Sequence, residues 1–68
     1  MVVKVIELVG ESPNSWQEAA ENAVKEAART VRNISGVEVK NWTANVQGEN
    51  LIEYKANVHV AFKVDDNR

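Results

Sequence analysis

The 68-residue chain contains no cysteine. Disulfide staples and thiolate metal sites are therefore excluded. A single histidine, His59, excludes a Cys/His zinc site as well. Acidic and basic residues nearly balance, 10 against 8, so the chain lacks the positive footprint of a nucleic-acid binder. No apolar run approaches the roughly 20 residues of a membrane span. The N-terminal MVVKVIELVG has no basic leader and carries Lys4 and Glu7, so it reads as a strand and not a signal peptide. Asn33-Ile34-Ser35 and Asn41-Trp42-Thr43 fit the glycosylation pattern, but without a secretory signal they are coincidental. The expectation is a soluble, cytoplasmic protein with no nucleic-acid or membrane partner. No repeat, nucleophile elbow, phosphate-binding loop, dinucleotide fingerprint, HExxH or EF-hand loop is present.

Shortness excludes more. The chain is one domain, residues 1–68, too small for a Rossmann or barrel enzyme. A chain of this size buries only about 60% of its extended surface. The stability margin of such a monomeric core is near zero. With disulfides and zinc excluded, association with further copies remains as the source of burial.

Val2 to Val9 is β-branched and leucine-rich, and Gly10 ends it, which predicts a strand. Val3, Val5 and Val9 share one face, Val2, Ile6 and Leu8 the other, as for a strand packed on both sides. Glu11-Ser12-Pro13-Asn14-Ser15 leads into a helix. Ser15 with Glu18 forms a capping-box pattern, and Ser12 before Pro13 is the alternative start. From Trp16 the apolar residues Trp16, Ala19, Ala20, Ala23, Val24, Ala27, Ala28 and Val31 form one stripe, predicting a helix through Arg32. Its alanines permit close packing. Ser35-Gly36 supplies the exit. Val37–Val46 and Leu51–Val64 read as a hairpin around Gly48-Glu49, a pair suited to a type II′ turn. That register sets Val37 against Val60, Val39 against Val58, Glu38 against His59, Trp42 against Lys55 and Val46 against Leu51. The expected fold is α+β, βαββ, one helix on a three-stranded antiparallel sheet of order 2-3-1. At about 3.3 Å per residue the third strand outruns its helix. The excess must curl around the helix or be covered by neighbours.

Few residues offer chemistry. His59 opposite Glu38 could pair for acid–base work, but a solvated histidine in a cross-strand ion pair is the simpler reading. Asp65-Asp66 reads as a solvated end. Trp16 serves packing. Trp42 and Lys55 fall as neighbours on the face away from the helix, near Val46 and Leu51. This marks Trp42 as an interface or ligand candidate, with subunit contact favoured over ligand contact.

The segments VVKVIELVGESPNSW, EAAENAVKEAARTV, VEVKNW and YKANVHVAFKV together resemble the dodecins. These are small βαββ proteins that assemble as hollow dodecamers and bind flavins between subunits. The similarity extends over essentially the whole chain. It implies a non-enzymatic homododecamer that binds, stores or buffers a small ligand or ion. In a gapless alignment the family's flavin-stacking tryptophan falls on Gly36 and its flavin-bonding glutamine on Lys55. Gly36 has no ring, and an ammonium cannot accept a hydrogen bond. The resemblance thus implies a degenerate flavin site at Gly36 and Lys55, with flavin binding through altered contacts as the alternative. SPNSW and the missing tryptophan look more like the calcium-binding branch. Calcium is the implied ion, its ligands unassigned. Tautomerases, another family of short oligomerising chains, use an N-terminal proline as base. Here residue 2 is Val and Pro13 sits at a helix start, so no enzyme is expected.

Overall fold

The computed structural model describes residues 2–64, and the Asp65-Asp66 tail lies outside them. Strand β1 (Val2–Ser12) leads to helix α1 (Trp16–Ala28), then strands β2 (Ile34–Gln47) and β3 (Asn50–Val64). The sheet is antiparallel in the order β1-β3-β2. The expected 2-3-1 arrangement is therefore the observed one.

The strands and helix differ from expectation at their ends. β1 does not stop at Gly10 but pairs through Ser12, which faces Tyr54. Gly10 is instead the point of closest approach to α1. A Cβ there would lie 1.9 Å from the Ala19 carbonyl oxygen and 3.0 Å from the Ala23 Cβ. The helix rests on that gap with Ala19, Ala23 and Ala27, all buried, against Ala56, Val58 and Val60 of β3. Small side chains on both surfaces bring the backbones together, so the core is thin and tightly fixed.

Helix α1 starts where the capping box placed it. The Ser15 hydroxyl accepts from the Glu18 N–H at 3.0 Å. Glu18 does not return the favour to Ser15. Its carboxylate instead accepts from the buried Ser12 hydroxyl and from Asn14 Nδ2 at 2.8 Å. Ser12 Oγ in turn accepts from the Asn14 N–H at 2.9 Å. The helix ends a turn before Arg32, its last turn tightened by i→i−3 bonds from the Arg29 N–H to the Glu26 carbonyl and from the Thr30 N–H to the Ala27 carbonyl, both 3.2 Å. Asn33, at φ 66°, then reverses the chain in the left-handed region that Asn tolerates. Ser35-Gly36 is not the exit; it already lies in β2.

The β2–β3 register is right at both ends and shifted in the middle. Val37, Glu38 and Val39 face Val60, His59 and Val58, and Val46 faces Leu51. Gly48 at φ 64° closes the two-residue turn. Between them, Lys40 is an extra residue in β2, so Asn41 faces Asn57 and Trp42 faces Ala56. A bulge of one residue exchanges the two faces of the strand. Trp42 therefore projects to the helix side, not away from it, and Thr43 takes the place opposite Lys55. The expected Trp42–Lys55 pair is not formed. A second irregularity between Asn45 and Val46 restores the original register towards the turn.

Burial of β1 on both faces is not achieved by one chain. Val3, Val5 and Val9 on the outer face are 54–58% exposed. The molecule is long and thin, 56 × 19 × 12 Å. As expected, the sheet outruns its helix.

Two measurements check this account. Gly10→Ala should cost at least the upper end of the usual overpacking range, about 3 kcal/mol. Its urea midpoint at fixed protein concentration should fall accordingly; an unchanged midpoint would contradict the contact. The Ser12 hydroxyl first, and the Asn14 amide second, hold the Glu18 carboxyl below its ordinary pKa. A depressed folded-state pKa contributes stability that is present above the unfolded value and lost as pH falls through the folded one. In Ser12→Ala the Glu18 carboxyl should titrate higher, nearer the ordinary carboxylate range, when followed by carbon-13 NMR.

Candidate functional site

Two regions carry the candidate residues, one on each side of the sheet. On the outer face β3 presents Lys55, Asn57, His59 and Lys63, flanked by Glu7 and Glu11 of β1 and by Gly36, Glu38 and Thr43 of β2. Gly36 and Lys55 do share this face. Gly36 stands opposite Ala61, six residues along β3 from Lys55, or about 20 Å. One chain does not bring them together. Around Gly36 there is open space, with nothing within 4 Å of where a Cβ would stand.

The charges here form loose pairs. His59 Nε2 lies 3.7 Å from Glu7 Oε2, and Lys55 Nζ 3.9 Å from Glu11 Oε2. Glu38, although opposite His59, approaches Lys40 instead, at 3.9 Å. Such half-solvated pairs contribute little to stability. They form no nucleophile–base couple, and His59 sits half-solvated beside Glu7 of β1 instead of pairing with Glu38 as expected. Asn57 Oδ1 is buried without a hydrogen-bond donor. In the register it lies between Glu7 and Glu11 of the neighbouring strand. Sequence reasoning missed this acceptor, because nothing in an alternating strand distinguishes a satisfied asparagine from an orphaned one.

On the helix side the aromatic residues gather. The Trp16 ring meets Tyr54 at 4.9 Å and Trp42 at 6.5 Å, both edge to face. Edge-to-face contact suits the charge distribution of aromatic rings. Trp16 Nε1 donates to the Thr43 carbonyl at 2.8 Å, which anchors the ring across 27 residues of sequence. Trp42, held by this contact, remains 48% exposed. It forms one wall of a cleft of about 600 Å³ between α1 and β2. Val37 lines the same cleft from β2, and Ala20, Val24 and the polar Gln17, Glu21 and Lys25 line it from α1. The cleft exists because α1 packs on β1 and β3 and barely touches β2. Trp42 thus keeps its status as an interface or ligand candidate, in different company from that expected.

The dodecin family model matches residues 2–65. This chain belongs to the dodecin family. Among curated relatives, a calcium dodecin of Mycobacterium tuberculosis is 36% identical over 63 residues, 93% of this chain and 89% of that protein. A Thermus thermophilus crystal structure superposes with a TM-score of 0.92 at 29% identity, covering 97% of each chain. The crystal structure of the M. tuberculosis calcium dodecin, described as calcium chelating with a novel calcium-binding site, gives 0.82 at 34% identity. It covers 100% of this chain and 97% of that one. Dodecins are small binding proteins, not enzymes, and the fold expected from the sequence is theirs.

The anchoring of Trp16 is testable. Trp16→Phe keeps a ring against Tyr54 but loses the bond to the Thr43 carbonyl. A stability loss of about 1 kcal/mol is expected in urea unfolding. The emission of Trp42, then the sole tryptophan, should shift as its edge contact loosens.

Proposed function

We propose that this dodecin is a non-enzymatic homododecameric shell that binds or buffers a small ligand or ion, calcium foremost, with its flavin site degenerate. The observation that carries this reading is the open, ringless position at Gly36. The outer face around it carries carboxylates, amides and valines, and its one ring is the His59 imidazole. The tryptophan and tyrosine rings gather on the opposite, helix side of the sheet. A flavin held by stacking needs an aromatic face beside it. The residues around Gly36 therefore do not fit a stacked flavin.

Calcium is supported by the relative's chemistry and by the donors on this face. Calcium takes six to eight oxygen ligands. The unpartnered Asn57 Oδ1 and the neighbouring Glu7 and Glu11 are ligands of that kind. Among the described residues of one chain, no three carboxylate or imidazole groups stand close enough to hold one ion. On this reading further oxygen donors join Asn57, Glu7 and Glu11 from a second copy. Binding and assembly are linked on this reading. A dodecamer of 7.6 kDa chains has a mass of about 91 kDa.

The alternative, a flavin site using altered contacts, is separated by titration. Light scattering should give a mass near that of the dodecamer, and calorimetry should register calcium binding to it. Riboflavin fluorescence should not be quenched at roughly tens of micromolar protein. Quenching by the wild type would revive flavin binding, and absence of both signals would leave an interaction shell alone. In Gly36→Trp the new ring enters open space, and flavin quenching should appear.

A further inference from the structure

Two irregularities in the β2–β3 ladder compensate one another. Lys40 is an extra residue in β2, and Ile52, without a partner between Leu51 and Glu53, is an extra residue in β3. Residues 41–45 are therefore displaced by one position, while Val39 with Val58 and Val46 with Leu51, on either side, share one register. Because the extra residues lie on opposite strands, the block can slide by one residue without moving the turn or the strand ends. In the uniform ladder that results, Asn41 stands opposite Ala56, Trp42 opposite Lys55 and Ala44 opposite Glu53. Trp42 is then on the outer face.

Little in the sheet itself favours the displaced block. None of residues 41–45 is buried, and register is weakly specified where neither face of a strand is covered. Two bulges interrupt the ladder, and Asn57 Oδ1 is left without a donor. A buried acceptor without a donor is costly, and the uniform ladder would set Lys40 across from it. What holds the block is on the helix side. The Trp16 bond to the Thr43 carbonyl does not discriminate, because the Trp42 carbonyl would take that place after the slide. The ring contact does. Trp16, first residue of α1 behind the Ser15 cap, meets the Trp42 ring edge to face. After the slide Asn41 would stand there instead, and the contact would be lost.

We propose that Trp16 is a positioning residue for the outer face: its ring, by holding Trp42, keeps residues 41–45 in the displaced register and so withholds an indole from planar ligands on that face. The inference rests on the reading of the outer face as the ligand-binding one and adds what sets its selectivity. A planar aromatic ligand stacks where an aromatic face is offered. With Trp42 held on the helix side, the tryptophan nearest that face is turned away from it. Trp16 touches nothing on the outer face and acts on it only through the register of β2.

Engineered cysteines report the register, because the chain has none of its own. A disulfide needs both Cβ atoms close together and on one face. Thr43 faces Lys55 in the displaced register, whereas Ala44 faces Glu53 only in the uniform one. With Trp16 in place, Thr43→Cys/Lys55→Cys should therefore oxidise within the chain and Ala44→Cys/Glu53→Cys should not, as counted from free thiols after denaturation. Trp16→Leu and Trp16→Met, which remove the ring, should each reverse that order, and Trp16→Phe, which keeps a ring, should leave it unchanged. Without added cysteines, the Leu and Met variants should quench riboflavin where the wild type should not. Deleting Lys40 and Ile52 makes the displaced pairs the straight ladder, and should cancel that quenching. A role in stability alone would produce no gain of quenching. If Ala44→Cys/Glu53→Cys links no better in either ringless variant than beside Trp16, the positioning role is overturned. It is equally overturned if the order reverses and riboflavin stays unquenched. Quenching by the wild type overturns instead the reading of the outer face on which the inference rests.

Discussion

The contact between Gly10 and the backbone of α1 governs the rest of the molecule. Helix and strand approach so closely there that not even a methyl group fits between them. Such an approach is available only to a helix whose facing side is alanine, and Ala19, Ala23 and Ala27 supply that side. The contact anchors α1 over β1 and β3. It leaves most of β2 out of reach of the helix, and from that follow the open cleft and the exposed Trp42. A core made largely of alanine and valine also buries little apolar area per residue, so much of the hydrophobic surface remains outside. Its tightness and its incompleteness have one cause.

A single inserted residue then decides which chemistry lies on which side. Without the bulge at Lys40, Trp42 would share the outer face with Lys55 and the carboxylates. With it, the tryptophan joins Trp16 and Tyr54 on the helix side, and the outer face is left to charged, amide and aliphatic groups. The aromatic and ionic features of the chain are thereby separated by the thickness of the sheet. This separation bears on function, because ring stacking and oxygen coordination require different surroundings. The face that carries Gly36 offers oxygen donors and no large ring.

The two sides also differ in how far one chain completes them. The aromatic cluster is tied together by a hydrogen bond and two ring contacts within the chain, although Trp42 stays half exposed. The outer face has loose ion pairs, an orphaned amide oxygen and half-exposed valines. A buried acceptor without a donor is costly, and apolar surface of this extent is uncommon on a monomer.

Much of this was legible in the residues. Alternation in β3, the 3.6-residue stripe of α1 and the Ser15 cap are local patterns, and local patterns specify elements and strand order. The lack of cysteine and the shortness of the chain point to association. The departures all arise where a position is decided by something distant in sequence. Gly10 reads as a breaker but is a clearance for the helix at Ala19, nine residues on. Trp42 reads as outward-facing because period two carries no signal for an extra residue at Lys40. The helix stripe continues to Val31, yet the chain must reverse at Asn33 to bring Ile34 beside Phe62. By itself, then, the sequence determined the elements, their order and the need for partners, since these depend on periodicity and size. Only the tertiary structure decided which face each functional side chain occupies, because a bulge and a close contact are properties of two segments together.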